Sequence, residues 1–170
     1  MNTIRQKVRL LLVASILATG AMAAAQQEPN NPLVESYMKV GTALADDDLR
    51  TAQGAAAAMI EDSKVGGIPE QVSTAASSVA DAKDLASARV GFQALSTAVQ
   101  NMIEESTSDG ESVYLMRCPM AFGGKGGTWL QLTTAVSNPY FGSKMLHCGG
   151  VVREIEGGPA TDSDHSHSNH

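Results

Sequence analysis

Apolar residues recur at spacings of three and four through residues 33–106, and nothing else in the 170-residue chain restricts its fold as much. The clearest run is Leu85, Ala88, Phe92, Leu95, Val99, Met102 and Ile103, which lie on one stripe of a 3.6-residue helix. It predicts a helix over about residues 84–106. Leu33, Tyr37, Val40 and Leu44 make a similar stripe in a first helix beginning at Leu33. Leu49, Ala52, Ala56, Met59 and Ile60 make another over about residues 49–63, and Val72, Ala76 and Val79 a third over about 70–82. The breaks have their own chemistry. Asp46-Asp47-Asp48 can cap the helix that follows, because a side-chain oxygen accepts an orphan N–H and the charge suits the helix N-terminus. Adjacent aspartates cannot all face one ion, so capping is preferred to a metal reading. Gly66-Gly67 stops the second helix, and Pro69 suits a helical start, where no N–H is required.

Four helices joined by links of two to six residues predict a mainly α protein, an up-and-down antiparallel four-helix bundle. Its many alanines and few aromatics imply close helix approach. Met38, Met59 and Met102 lie on or beside the inward stripes and are expected to fill the core.

The period ends at residues 107–111, where Ser108-Asp109-Gly110 is turn chemistry. Residues 114–150 differ in kind: they hold both cysteines, the single tryptophan and three of the eight methionines. Val113 to Met116 reads as a short strand, Pro119 ends any ladder, and the glycines of 123–127 and Asn138-Pro139-Tyr140-Phe141-Gly142 make turns. The expectation is a short Gly/aromatic-rich extended region packed on one end of the bundle, with Trp129, Tyr140 and Phe141 forming a small second core.

The first 25 residues stand apart. Arg5, Lys7 and Arg9 precede an apolar run over 10–17, and Ala21-Met22-Ala23 and Ala23-Ala24-Ala25 offer cleavage sites, as in a secretory signal peptide. A membrane span would need about 20 apolar residues, and Thr19, Gly20 and Gln26-Gln27 cut this run short. The organisation expected is thus a signal peptide at 1–25, a linker at 26–32, one domain over 33–156 and a disordered histidine-containing tail at 157–170. The product is expected to be periplasmic or secreted, with no membrane span once the signal is removed. Losing the signal leaves 9 basic against 18 acidic residues, and a chain that acidic has no electrostatic case for nucleic acid.

Enzymatic readings find little to stand on. Serine, histidine and aspartate come close together only in the tail, where no triad could be held. The glycine runs lack a phosphate-binding spacing, and Cys118-Pro119 lacks the second cysteine of a thiol-exchange motif. A different chemistry is better represented. Met116, Cys118 and Met120 alternate, and Met145, His147 and Cys148 fall within four residues. Thiolate and thioether donors select Cu(I) over hard cations. A site for Cu(I) or Ag(I) would use Cys118, Met120, Met145 and Cys148, with Met116 and His147 in reserve. The competing reading is a Cys118–Cys148 disulfide, the commoner fate of two cysteines in an exported domain, stabilising it by roughly 3–4 kcal/mol. An oxidised resting form and a reduced binding form could also alternate. His165, His167 and His170 in the tail are a weaker candidate, loosely suited to Cu(II), Zn or Ni.

Cys118-Pro119-Met120-Ala121-Phe122, then Gly126-x-x-Trp129-Leu130, then Asn138-Pro139-Tyr140-Phe141-Gly142-x-x-Met145-Leu146-x-Cys148-Gly149 resembles an exported bacterial domain of unknown function. That domain occurs alone or fused to the C-terminus of periplasmic adaptor (membrane-fusion) proteins of RND-type copper/silver efflux systems. Tyr37-Met38, Ala43-Leu44-Ala45-Asp46-Asp47 and Phe92-x-x-Leu95-Ser96 resemble its helical half, so the likeness extends over about residues 33–156. It implies a four-helix domain with a Cys/Met-bearing C-terminal region and an association with heavy-metal handling. Cys118, Met120, Met145 and Cys148 stand in the matching motifs. No β-barrel or coiled-coil hairpin precedes the domain here, so the expectation is a stand-alone metal carrier or buffer, handing its ion to an efflux or copper-handling protein of the envelope. The alternative is a structural or interaction module stapled by the disulfide.

Overall fold

The computed structural model describes residues 31–66, 68–105 and 112–156. The signal segment, most of the linker and the tail with His165, His167 and His170 lie outside the described residues. The protein is mainly helical, with a small antiparallel three-stranded sheet toward the C-terminus.

Helix α1 spans Pro32–Ala45, α2 Leu49–Gly66, α3 Glu70–Ala80 and α4 Leu85–Glu105. Each boundary has a local cause. Asn31 accepts from the Leu33 N–H at 3.0 Å, with Pro32 in the first turn. Asp48 accepts from the Thr51 N–H and hydroxyl, and Asp84 from the Ser87 N–H, so two aspartates act as caps. Pro69 opens α3. α1 packs on α2, α2 on α3, and α3 on α4, which also touches α1. The predicted stripes are the buried ones: Tyr37, Val40, Leu44, Ala52, Ala56, Met59, Val72, Ala76, Val79, Ala88, Phe92, Leu95 and Val99 are all in the core. Met38 and Met102 pack against it from its margin. α3 and α4 approach so closely at Gly91 that a Cβ there would lie 3.0 Å from the Ser78 backbone, which only glycine allows without a shift.

Strands β1 (Val113–Cys118), β2 (Gly127–Gln131) and β3 (Gly150–Ile155) are ordered β2-β1-β3. Cys118 pairs with Gly127 and Arg117 with Thr128 on one side, and Arg117 with Gly150 on the other, with an irregularity between Leu115 and Met116. β1 thus runs two residues beyond the stretch expected from sequence. β2 and β3 were legible only as unassigned extended pieces, since five or six residues flanked by glycine carry little alternation.

β2 lies against α4 and α1. An uncovered strand edge invites pairing with another chain, and here two tyrosine hydroxyls occupy it. The Leu130 N–H donates to Tyr37 Oη at 2.9 Å, and Tyr140 Oη donates to the Thr128 carbonyl. Tyr37 Oη also lies 2.8 Å from Ser96 Oγ on α4. Burial raises the Tyr37 phenol to about 12, against the opposing pull of these two hydrogen bonds. It is therefore a neutral hydrogen-bonding post at any ordinary pH.

The expected small second core does not stand apart. Phe92 stacks on Tyr37 with centroids 5.3 Å apart and meets Tyr140 at 5.9 Å, and Tyr140 in turn meets Trp129 at 5.8 Å and Phe122 at 5.0 Å. One hydrophobic core therefore runs from the helices into the sheet. Phe141 is only partly buried at its margin, and Phe122 shares that role. Among the described residues no helix is long and apolar enough to cross a membrane.

Candidate thiol site

β1 ends at Cys118, and β3 begins two residues after Cys148. Because Arg117 pairs with Gly150, the antiparallel register delivers both cysteines to the same end of the sheet. Their Sγ atoms are 3.0 Å apart, and both thiols are free. Cys118 is completely buried and Cys148 partly so.

The loop that presents Cys148 is built on Asn138, which is itself fully buried. Its Oδ1 accepts from the N–H groups of Tyr140 at 2.8 Å and Phe141 at 3.3 Å, an Asx turn that shapes the Asn-Pro-Tyr-Phe-Gly segment. Its Nδ2 donates to the Cys148 carbonyl at 2.6 Å. The Cys148 N–H closes a tight turn onto the Met145 carbonyl at 3.0 Å.

The two sulfurs are not equivalent. Burial pushes the Cys118 thiol up, but hydrogen bonds from the Cys148 thiol, the Met120 N–H, the Asn138 amide and the Ala121 N–H outweigh it and leave Cys118 below the ordinary thiol range. Cys148 goes the other way, because of its hydrogen bond to Cys118, its partial desolvation and the repulsion it would meet from an ionised Cys118. Donors that favour the ionised form of a sulfur make it more nucleophilic and a better metal ligand.

The remaining sequence candidates are placed unevenly. Met120 is 55% exposed, directly after the Cys118-Pro119 corner. Met145 is partly buried, at the start of the turn that ends in Cys148. Met116 is completely buried and belongs to the hydrophobic core. His147 is exposed, with Nδ1 2.9 Å from the Val136 carbonyl. A carbonyl only accepts, so Nδ1 carries the proton and the Nε2 lone pair is left available. Among the described residues, no three His, Cys, Asp or Glu side chains are grouped so as to hold an ion. His147 is therefore not grouped with the two cysteines, and a soft-ion site here would have to be completed by thioethers.

In the sequence Asp47 stands in a capping run and in the Ala43-to-Asp47 stretch of the resemblance, and neither it, Asn138 nor Arg89 is singled out there as functional. Asp47 adopts φ 60° and turns away from the helix that Asp48 caps. It accepts from the Ser143 N–H at 3.0 Å and the Ser143 hydroxyl at 2.5 Å, and pairs with Arg89 Nη2 at 2.5 Å. Arg89 also donates to the carbonyls of Pro139 and Leu44. Gly142 has φ +59°, and a Cβ there would stand 2.1 Å from Asp47 Oδ1, so only glycine fits. This clasp fastens the loop carrying Cys148 to the α1–α2 turn and to α4. Redundancy was one sequence signal, since a single aspartate suffices to cap, and the place of Asp47 and Asn138 in the resembling stretches was another.

The Ser143 and Arg89 hydrogen bonds lower the Asp47 carboxyl to about 2. A folded value below the unfolded one of about 3.9 means the clasp's stabilisation is complete above pH 4 and is lost as pH falls through about 2. With the side chain 31% exposed, screening limits the expected effect to about 1–2 kcal/mol. Urea unfolding at stepped pH should show Asp47→Asn less stable by that amount at pH 7 and equal to wild type near pH 2. A difference that does not depend on pH would mean the charge contributes nothing.

The fold and site define a helical domain closed by a small sheet that presents a dithiol pair. A family model described as protein of unknown function (DUF3347) matches residues 33–110. The helical half of the chain is similar to that family, and the thiol region lies beyond the match. No curated protein and no solved structure matches the chain.

Proposed function

We propose that the chain is an exported soft-metal-binding protein that takes Cu(I) or Ag(I) through Cys118 and Cys148, with Met145 and Met120 as thioether donors. Of the reserve donors, Met116 is walled into the core and His147 is not grouped with the two cysteines, so neither is used in this reading. The helical half, a four-helix bundle in this reading, is the rigid base to which the clasp ties the ligand loop. The tail histidines His165, His167 and His170 would add a looser site. Its role would be periplasmic buffering or delivery of the ion to an efflux or copper-handling protein of the envelope, as the resemblance to adaptor-fused domains implies. It is a binding role and not an enzymatic one.

The observation that carries this reading is the convergence of two sulfurs from segments 30 residues apart, one of them lined by N–H donors. The donor set is soft throughout, which suits a monovalent d10 ion. Two thiolates on one ion at about 2.3 Å stand about 3.8 Å apart at a tetrahedral angle and about 4.6 Å apart in line. Loading therefore requires the pair, at 3.0 Å, to part. The turn over residues 145–148 is the short segment that would move.

Anaerobic titration of the reduced full chain with Cu(I) against a chromophoric chelator tests the reading. One equivalent should be withdrawn from the chelator. Cys118→Ser should weaken binding at least about 100-fold, the loss of some 3 kcal/mol of ligation, and Met145→Leu about 10-fold. No withdrawal, or withdrawal that neither substitution affects, would overturn it.

The 3.0 Å separation itself favours a second reading, in which a Cys118–Cys148 disulfide staples a structural or interaction module of the envelope. Thiol counting without reductant distinguishes the two: no free thiol, and no gain of metal uptake on reduction, would support the staple.

A further inference from the structure

The two cysteines differ in access, and that difference gives the pair a direction. Cys118 has no exposed surface at the end of the central strand, whereas Cys148 is partly exposed on a tight turn outside the sheet. The turn that carries Cys148 is held in place by the Asn138 amide, which donates to the Cys148 carbonyl at 2.6 Å. With 3.0 Å between the sulfurs, the loop need close by only about 1 Å to reach the roughly 2.05 Å of a bond.

We propose that Cys148 is the exchange site of this pair: external thiols and disulfides react at its sulfur, and Cys118 is the buried sulfur that departs or resolves. In the reducing direction a low-molecular-weight thiolate attacks Cys148 Sγ along the S–S axis. One S–S bond forms between the incoming sulfur and Cys148, the Cys148–Cys118 bond breaks, and Cys118 leaves with the electron pair. In the oxidising direction Cys148, as thiolate, attacks a low-molecular-weight disulfide and expels one thiolate. Cys118 then attacks Cys148 and expels the second, so the small disulfide takes up two electrons and the pair gives them. Attack at Cys118 instead would need a reagent to enter the core. This inference needs no metal and goes beyond the metal-binding reading.

The test uses the full chain with EDTA and a Cu(I) chelator present, so that metal occupancy plays no part. Oxidised wild-type protein is mixed with glutathione and quenched in acid at short times, and the trapped mixed disulfide is located by peptide mass spectrometry. At least about nine-tenths of the adduct should lie on Cys148, since access selects which sulfur is attacked. An even division, or adduct mainly on Cys118, overturns the proposal. In parallel, reduced Cys118→Ser and Cys148→Ser proteins are exposed to oxidised glutathione. Cys118→Ser should form its adduct at least about 10-fold faster, reflecting the buried position of Cys118; equal rates overturn the proposal. The wild-type trapping needs no variant and decides the matter if Cys148→Ser unfolds. Because neither arm contains free metal, failure here leaves the Cu(I) titration standing, and failure of that titration leaves this result intact.

Discussion

Asn138→Leu should destabilise the reduced protein by about 3–5 kcal/mol, the largest effect expected of any single polar side chain here. Three backbone groups rely on that amide: the Tyr140 and Phe141 N–H groups and the Cys148 carbonyl. Leucine has a similar volume but leaves them without partners around a side chain that is 0% exposed, and each orphaned buried group costs about 1–3 kcal/mol. Urea unfolding followed by Trp129 fluorescence measures it. Asn138→Asp separates the roles of the two amide atoms. It retains acceptors for the two N–H groups, loses the donation to Cys148, and places a carboxylate beside the Cys118 sulfur. The expected result is a smaller stability loss with a marked rise of the Cys118 thiol, visible as a shift of the thiolate absorbance titration to higher pH. Leucine tolerated to within about 0.5 kcal/mol, the range of an ordinary surface change, would show that the loop does not depend on Asn138.

Phe92→Ala should cost a similar amount, about 3–5 kcal/mol, as buried aromatic truncations do. Its distinguishing consequence lies at a distance. The ring touches Tyr37 on α1 and Tyr140 in the thiol loop, and Tyr140 in turn carries Trp129 at a near-perpendicular edge contact. Removing it should therefore loosen the sheet from the helices and diminish the near-UV dichroism of Trp129 before far-UV helicity is lost. Phe92→Leu, nearly matched in volume, should cost less than about 1.5 kcal/mol and keep the Trp129 signal. Simultaneous loss of both signals in the alanine variant would mean that helices and sheet unfold as one unit, held by the Tyr37–Leu130 hydrogen bond and the Asp47 clasp as well as by this ring.

The helical half was legible because its information is local. One helix turn brings residues three and four apart onto one face, so a stripe such as Leu85, Ala88, Phe92, Leu95 and Val99 declares both the helix and its buried side. Caps are equally local: Asp48 and Asp84 act on residues three positions away. The sheet gave no such signal. β3 exposes four consecutive residues before Ile155, so it has neither the alternation of a half-buried strand nor the apolar run of a buried one. Its register rests on pairing with β1, far away in the chain.

The site divides along the same line. The sequence determined by itself that four amphipathic helices would form, that both cysteines and three of the eight methionines lie in two short segments, and that those donors are of the soft kind. Only the tertiary structure decided that Cys118 and Cys148 meet, that Met116 faces the core while Met120 faces water, and that Asp47 leaves its neighbours to grip Ser143 and Arg89. The physical reason is range. Helix formation and donor chemistry are properties of a few neighbouring residues, whereas an approach of sulfurs 30 positions apart follows from strand register, a buried asparagine and a clasp that exist only once the whole chain has folded.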